Sequence, residues 1–149
     1  MFPTPSEPTR GIFKYQLAKA LQADFDVTVV CPLPWCPRLS PLKSIHKWYR
    51  YAEVPLRYNW YGLDVHAPRY PMLPGYSQTR HSQLMAWGVS KTVERLHRQR
   101  PFDLANSHWL YPDSVVAQEL CEGFGIPHIP TASGCDVNEF LEHPRKRAF

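Results

Sequence analysis

Residues 102–131 read FDLANSHWLYPDSVVAQELCEGFGIPHIPT, and this stretch shows the order of secondary structure most clearly. Residues 102–106 and 127–131 are short runs that predict strands. Between them, Pro112 and Asp113 are typical of a helix start, and Gly123 and Gly125 are typical of a helix end. A strand, a helix and a second strand in this order are typical of α/β proteins with a parallel sheet.

The part of the chain before this stretch continues the same alternation. Its predicted elements are a helix at 13–23, a strand at 26–31, a short helix at 42–51, short strands at 54–58 and 63–67 around a turn at Asn59–Gly62, and a long helix at 77–97. Sixteen prolines, about twice the usual share of ~5%, predict extended loops over 32–41 and 68–74. We therefore expect an α/β domain that is rich in loops.

The composition limits the size of the fold and the choice of partners. The chain has 149 residues, of which 44% are hydrophobic, and this is enough for the core of one domain. Seventeen Lys and Arg residues against 13 Asp and Glu residues give a formal charge of +4, and the densest basic run is only Arg145–Arg147. So small an excess does not predict a nucleic-acid partner. It suits an anionic small substrate or an anionic membrane surface equally well.

The cysteines and histidines do not predict a metal site. The four cysteines, at positions 31, 36, 121 and 135, match no zinc-binding spacing, and the seven histidines do not pair at ligand spacing. We expect free thiols, with Cys31 and Cys121 acting as small buried hydrophobic residues. The sequence shows neither a signal peptide nor a stretch of eighteen apolar residues, so a cytoplasmic location is expected.

The first candidate ligand site is Arg10–Gly11, immediately before the first predicted helix. Free backbone N–H groups, the helix dipole and a glycine that permits close approach could together cradle a phosphate there. A simple bend of the chain into the helix explains the same glycine equally well.

Two further candidate loops each follow a predicted strand, where ligands of open parallel sheets bind. His108 could bind a ligand hydroxyl or phosphate, and Trp109 or Tyr111 could stack on a sugar or a base. The alternative is a buried histidine with aromatic packing neighbours. In the second loop, Asp136 and Asn138 offer polar contacts, or they belong to an Asx-type turn that only holds its own backbone.

Four segments, in order along the chain, resemble the N-terminal domain of family 4 glycosyltransferases of the bacterial cell-surface polysaccharide and teichuronic acid type. The segments are residues 8–13 together with 16–21, then 26–30, 107–113 and 134–138. The resemblance implies an enzyme of two Rossmann-like domains, the GT-B fold, that transfers a sugar from a nucleotide diphosphate donor to an acceptor with retention of configuration. It implies neither a cofactor nor a metal. It further implies that this chain forms the acceptor-side domain, a Rossmann-like parallel sheet with flanking helices.

The same resemblance implies roles for the candidate residues. Arg10 and Gly11 would lie in the loop that faces the donor diphosphate, and His108 would be the catalytic residue. The residues implied to line the acceptor side of the cleft are Trp109, Tyr111, Ser133, Asp136 and Asn138. The implied partners are a nucleotide-sugar, bound by a C-terminal domain, and a glycan or lipid-linked acceptor. Peripheral contact with the anionic inner face of the membrane is also expected.

The sequence departs from the family pattern in three ways. Family members open with a buried strand before the Phe-Pro segment, whereas here Met1 directly precedes Phe2–Pro3. Ser133 stands where relatives often carry a basic residue, and neither a donor-side domain nor its Glu-containing motif follows within residues 1–149. We therefore expect an incomplete glycosyltransferase domain that lacks its first strand and is inactive alone. The alternative is a non-catalytic α/β module that binds a carbohydrate or polyanionic ligand.

Overall fold

A computed structural model gives the structure of the chain and describes residues 1–35, 51–72 and 80–134 together with Asp136. Among these residues the helices are Ile12–Leu21 (α1), His81–Gln99 (α2) and Val115–Phe124 (α3). The strands are Thr28–Val30 (β1), Leu33–Trp35 (β2), Arg57–Trp60 (β3), Leu63–His66 (β4), Arg69–Pro71 (β5), Ala105–His108 (β6) and His128–Thr131 (β7). The predicted mixed α/β composition is confirmed.

In the described part of the chain, the strands form small sheets rather than one continuous sheet. β1 pairs in parallel with β4, with Val29 opposite Val65, and β3 pairs antiparallel with the other edge of β4. β2 pairs in parallel with β5. β6 pairs in parallel with β7, with His108 opposite Thr131. Each parallel pair joins strands that are separated by a long stretch of chain, whereas the antiparallel pair β3–β4 is joined by a two-residue turn.

The helices lie close to their predicted positions, because the apolar period that predicts a helix is a local property. α3 ends at Gly125, which has the left-handed conformation (φ 69°) common at helix ends, whereas Gly123 lies inside the helix. The predicted helix at 42–51 lies almost entirely outside the described residues. None of the described helices is long and apolar enough to cross a membrane.

Several strands differ from their predicted positions. β3 begins at Arg57, beyond Pro55, and its hairpin turn is the pair Tyr61–Gly62 rather than Asn59–Gly62. β6 starts later than predicted and extends through His108. β2 and β5 lie where extended loops were predicted, because prolines inside both strands argue against a central strand. Strands of three residues need few ladder bonds and so tolerate proline.

Side chains from helices contact both faces of β1 without burying the strand. Val29 packs with the core cluster that Tyr15 of α1 joins. Its neighbour Val30 packs with a second cluster, which includes Met85 of α2 and Val116 of α3. Successive side chains of a strand point to opposite faces. α1 therefore lies on one side of β1, and α2 and α3 lie on the other.

The apolar face of α1 and one edge each of β1 and β6 are open in the described structure. Phe13 is 81% exposed and Leu17 is 42% exposed, although both belong to the apolar face of the helix. Among the described residues, no backbone hydrogen bond joins the edge of β1 away from β4 or the edge of β6 away from β7. Parallel strands are usually covered and paired, so these surfaces are places where a further element can pack.

Candidate functional site

The loop after β6 presents Trp109 at the carboxyl end of the strand. His108 is the last residue of β6, and the Trp109 N–H donates to the Thr131 carbonyl at the end of β7 (3.1 Å). Trp109 has a positive φ of 85°. Its carbonyl accepts hydrogen bonds from the backbone N–H (2.9 Å) and the hydroxyl (2.7 Å) of Ser114. These bonds stabilise a backbone conformation that is unfavourable for a bulky residue.

Lys14 joins these residues from the first turn of α1. Its Nζ lies 5.2 Å from the centroid of the Trp109 ring, which is within cation–π range. It also interacts electrostatically with His108 and with Asp113, which lies in the short segment before α3. We call Lys14, His108, Trp109 and Asp113 the Lys14 cluster. It brings together one helix start, one strand end and the loop between β6 and α3.

The carboxyl end of β1 meets the same cluster through the first residues of the chain. The Phe2 N–H donates to Sγ of Cys31, the residue that follows β1 (3.4 Å). The Met1 amino group interacts with Lys14 and Asp113. Residues 1–2 therefore lie at the carboxyl end of β1, and the Met1 amino group is within electrostatic range of His108 at the end of β6.

Burial sets the protonation states in the Lys14 cluster. Burial lowers the pKa of His108, and the positive charges of Lys14 and of the Met1 amino group in its protonated form act in the same direction, so the imidazole is neutral at neutral pH. Burial raises the pKa of Asp113, although the same two ammonium groups act against this rise. Burial also lowers the pKa of the Met1 amino group to about 6. The cluster thus combines a neutral imidazole, a side-chain ammonium group, a carboxyl group and an aromatic face.

Gly11 makes room for the chain's own backbone. It is left-handed (φ 76°), and a Cβ at this position would lie 2.4 Å from the Met1 carbonyl oxygen. The left-handed bend into α1 and the close approach of the Met1 backbone both require a glycine here. Arg10 donates to the Tyr51 hydroxyl (2.9 Å) and pairs with the Glu7 carboxylate (3.3 Å). A role for Arg10 and Gly11 toward a diphosphate stays a prediction.

The loop after β7 is held by a reciprocal pair of hydrogen bonds. The Ser133 N–H donates to Oδ2 of Asp136 (2.7 Å), and the Asp136 N–H donates to the Ser133 carbonyl (2.9 Å). Asp136 is buried and interacts electrostatically with Asp113 of the Lys14 cluster. Its carboxylate thus caps its own turn, as a capping box does, and the turn lies near the cluster. Asn138 lies outside the described residues.

Tyr111 contacts the start of α2. Its ring packs edge-on against His81, with 6.2 Å between the ring centroids. Nε2 of His81 lies 3.0 Å from the Tyr70 hydroxyl. Burial lowers the pKa of His81 and raises the pKa of Tyr70, so both groups are neutral at neutral pH. The Tyr70 hydroxyl therefore donates to an unprotonated Nε2.

We expect the free energy of unfolding to decrease as the pH falls from about 7 to about 5, because the unfolded chain then binds protons that the folded His81 resists. His81→Gln, which keeps a hydrogen-bond acceptor for Tyr70, should make this decrease smaller. The pKa of His108 is also lowered, so this residue contributes to the same decrease in stability. His108→Gln should therefore also make the decrease smaller. Urea unfolding at the two pH values measures the difference. An identical decrease in wild type and His81→Gln would contradict the prediction.

The sequence indicated the loop at 107–113 but not its partner on α1. Lys14 carries no motif of its own, and only its position one turn after Gly11 could have suggested that it faces a ligand. For Asp113, the sequence indicates only a helix start, although this residue lies in the candidate loop. The approach of residue 14 to residue 109 depends on the packing of α1, which no local pattern encodes.

The described residues contain no group of three or more His, Cys, Asp or Glu side chains placed to bind a metal ion. Cys31 and Cys121 are buried free thiols, as expected. Comparison of the chain with protein-family models, with curated proteins and with solved structures finds no match.

Proposed function

We propose that this chain forms the acceptor-side domain of a retaining glycosyltransferase of the GT-B type, and that the Lys14 cluster binds the acceptor glycan. The observation that carries the proposal is the position of the cluster. Its members meet at the carboxyl end of β6 and next to that of β1, and parallel sheets bind ligands beyond these ends. The loop that contributes His108, Trp109 and Asp113 is also one of the four segments that carry the family resemblance.

The arrangement of the strands supports a Rossmann-like sheet with one more strand than the structure describes. In the part of the chain that the structure describes, β1 and β6 each have an open edge, residues 1–2 lie at the carboxyl end of β1, and the Met1 amino group is within electrostatic range of His108 at the end of β6. One parallel strand between them, leading into Met1, would join β3, β4, β1, β6 and β7 into a single sheet. The packing of Val29 and Val30 already gives this sheet helices on both faces. We propose this strand as the missing centre of the domain.

The chemistry of the Lys14 cluster suits a sugar. The apolar face of a pyranose ring stacks on an indole, and its hydroxyl groups need both donors and acceptors. The neutral imidazole of His108 supplies one of each, Lys14 supplies donors, and Asp113 supplies acceptors. During transfer, the acceptor hydroxyl oxygen bonds to the anomeric carbon while the bond from that carbon to the diphosphate breaks, its electron pair goes to the departing diphosphate oxygen, and the hydroxyl proton passes to the departing diphosphate. A neutral His108 can accept a hydrogen bond from this hydroxyl.

Trp109→Ala is expected to weaken oligosaccharide binding about tenfold, or ~1.4 kcal/mol, because the stacking surface is lost. Trp87→Ala is the matched control, since Trp87 is also exposed (72%) but lies on α2 away from the carboxyl end of β6. NMR titration with glucose, N-acetylglucosamine and glucuronate oligosaccharides measures both variants. Equal losses in the two variants would contradict the assignment of the site.

Release of nucleotide diphosphate tests transfer itself. The chain is mixed with uridine and guanosine diphosphate sugars, oligosaccharide acceptors and the donor-side domain of a family 4 glycosyltransferase. We expect release that His108→Ala strongly reduces. Oligosaccharide binding without release in every combination would favour the alternative, a non-catalytic carbohydrate-binding module. Absence of any oligosaccharide binding would exclude both functions.

A further inference from the structure

A chain of hydrogen bonds begins on α3 and reaches β6. An N–H of the Gln118 amide donates to the Glu122 carboxylate (2.6 Å). The Gln118 amide oxygen lies 2.7 Å from Nδ1 of His128, at the start of β7. Nε2 of the same imidazole lies 2.8 Å from Oγ of Ser107 on β6. His128 is thus bonded through both ring nitrogens.

The same chain of bonds continues to the loop that presents Trp109. Oγ of Ser107 lies 2.7 Å from Oγ of Ser114. The Ser114 hydroxyl donates to the Trp109 carbonyl (2.7 Å), which also accepts the Ser114 backbone N–H. The His128 imidazole is therefore connected to the backbone of a residue in the Lys14 cluster.

The number of available protons decides when all of these bonds exist together. The Ser114 hydroxyl has one proton and donates it to the Trp109 carbonyl, so Ser107 must donate its own proton to Ser114. Nε2 of His128 must then carry a hydrogen to donate to Ser107. Nδ1 must carry a hydrogen as well, because it faces an amide oxygen. Only the imidazolium form has both hydrogens.

Glu122 fixes which way the Gln118 amide points. A flipped amide would place its oxygen 2.6 Å from a carboxylate oxygen, and two acceptors at this distance repel. The amide nitrogen therefore faces Glu122, and the amide oxygen faces Nδ1 of His128. When His128 is neutral, its single hydrogen stays on Nδ1, and Nε2 can only accept.

We propose that His128 is a positioning residue for Trp109, and that its protonation closes the chain of bonds. In the neutral state, Ser107 donates to Nε2, and the connection to the Trp109 carbonyl opens at one bond. In the imidazolium state, every bond is made, and the Ser114 hydroxyl is committed to Trp109. Any effect on a ligand rests on the proposed function, whereas the tautomer and the connection to Trp109 do not.

Other titratable groups lie on the elements that pack against β7, and most of them have contacts elsewhere. Those on β6, on α3 and on the segment between them are His108, Tyr111, Asp113, Glu119, Cys121 and Glu122. His108 and Asp113 belong to the Lys14 cluster, and Tyr111 packs on His81. Glu119 lines the groove between α3 and α2, and burial raises the pKa of Cys121. The hydrogen bonds described above connect His128 through Gln118 to one of these groups, Glu122.

Nitrogen-15 NMR of the histidine side chains in the full chain tests the proposal. In the neutral state we expect the Nδ1–H tautomer at His128, although free histidine favours the Nε2–H form. We also expect the carbonyl carbon of Trp109 to shift over the pH range in which His128 titrates. The proposal would be overturned by an Nε2–H tautomer in the neutral state, or by a Trp109 carbonyl chemical shift that stays constant over this pH range.

Three variants separate the connection from general effects of pH. Ser107→Ala should leave the titration of His128 in place but remove the pH-dependent shift of the Trp109 carbonyl. Glu122→Gln should let the Gln118 amide flip and restore Nε2–H character at His128. Ser90→Ala, at a half-buried serine of α2 whose hydroxyl donates to the Trp87 carbonyl, is the control and should change neither signal. Failure of oligosaccharide binding would refute the proposed function alone, because no ligand is present in these spectra.

Discussion

Gly88→Ala is expected to lower the free energy of unfolding by about 3 kcal/mol, because the added methyl group has no room. Gly88 lies on α2 where this helix crosses β5. A Cβ there would lie 2.5 Å from the Arg69 carbonyl oxygen and 2.7 Å from Cβ of Tyr70. The Arg69 oxygen is a backbone atom of β5, and Cβ of Tyr70 is bonded directly to that backbone. Neither atom can therefore move aside by rotation about a side-chain bond. α2 would have to move off the strand and would open the cluster that contains Met85 and Tyr70.

Gly123→Ala provides the matched control. Gly123 also lies within a helix, α3, but a Cβ there would meet nothing within 4 Å. Alanine favours helix over glycine by up to about 1 kcal/mol, so this variant should be slightly more stable than wild type. Urea unfolding of both variants under the same conditions measures the difference. Equal stabilities would show that α2 does not pack closely on β5.

The sequence predicts the helices of this fold better than its strands. The apolar residues of α2 recur at helical spacing, and this spacing is visible without knowledge of the partners. β2 and β5 could not be predicted, because Pro34 and Pro71 argue against strands and their pairing joins segments far apart in the chain. Pairing partners of short strands depend on tertiary packing, which a local pattern does not contain.

In the candidate site, too, features set by local sequence could be predicted and features set by tertiary packing could not. The loop from His108 to Asp113 could be located, because it follows a predicted strand and precedes a predicted helix. Its cation could not, because Lys14 reaches Trp109 only through the packing of α1. The sequence also left two explanations for Asp136, and the structure shows a carboxylate that bonds its own turn. The turn is set by neighbouring residues. Whether the Asp136 carboxylate bonds to this turn or to a ligand depends on its burial, which a local pattern does not contain.

Among the described residues, the open edges of β1 and β6 are the largest departure from a stable parallel sheet. An isolated pair of parallel strands is rarely stable, since it buries little apolar surface. All three residues of β1 are only half-buried, although parallel strands usually lie between two covered faces. Exposed edges also favour association between chains. One strand between β1 and β6 would remove both open edges at once.

Fusion of six alternating valine and isoleucine residues directly before Met1 is therefore expected to raise the free energy of unfolding by about 3 kcal/mol and Tm by about 10 °C. The gain comes from apolar side chains buried between the helix layers and from new ladder bonds, less the entropy of ordering the segment. Thermal unfolding measures the gain. Amide hydrogen exchange should show new protection within Thr28–Val30 and Ala105–His108.

The control for this fusion has the same length and a proline at every second position. Proline cannot donate a ladder hydrogen bond, so the control segment should neither raise Tm nor protect β1 and β6. Protection of one strand without the other would mean that the added segment pairs at a single edge, and the proposed central position would be wrong. New protection that is larger in both of these strands than in β5 is the result expected of a segment that lies between them.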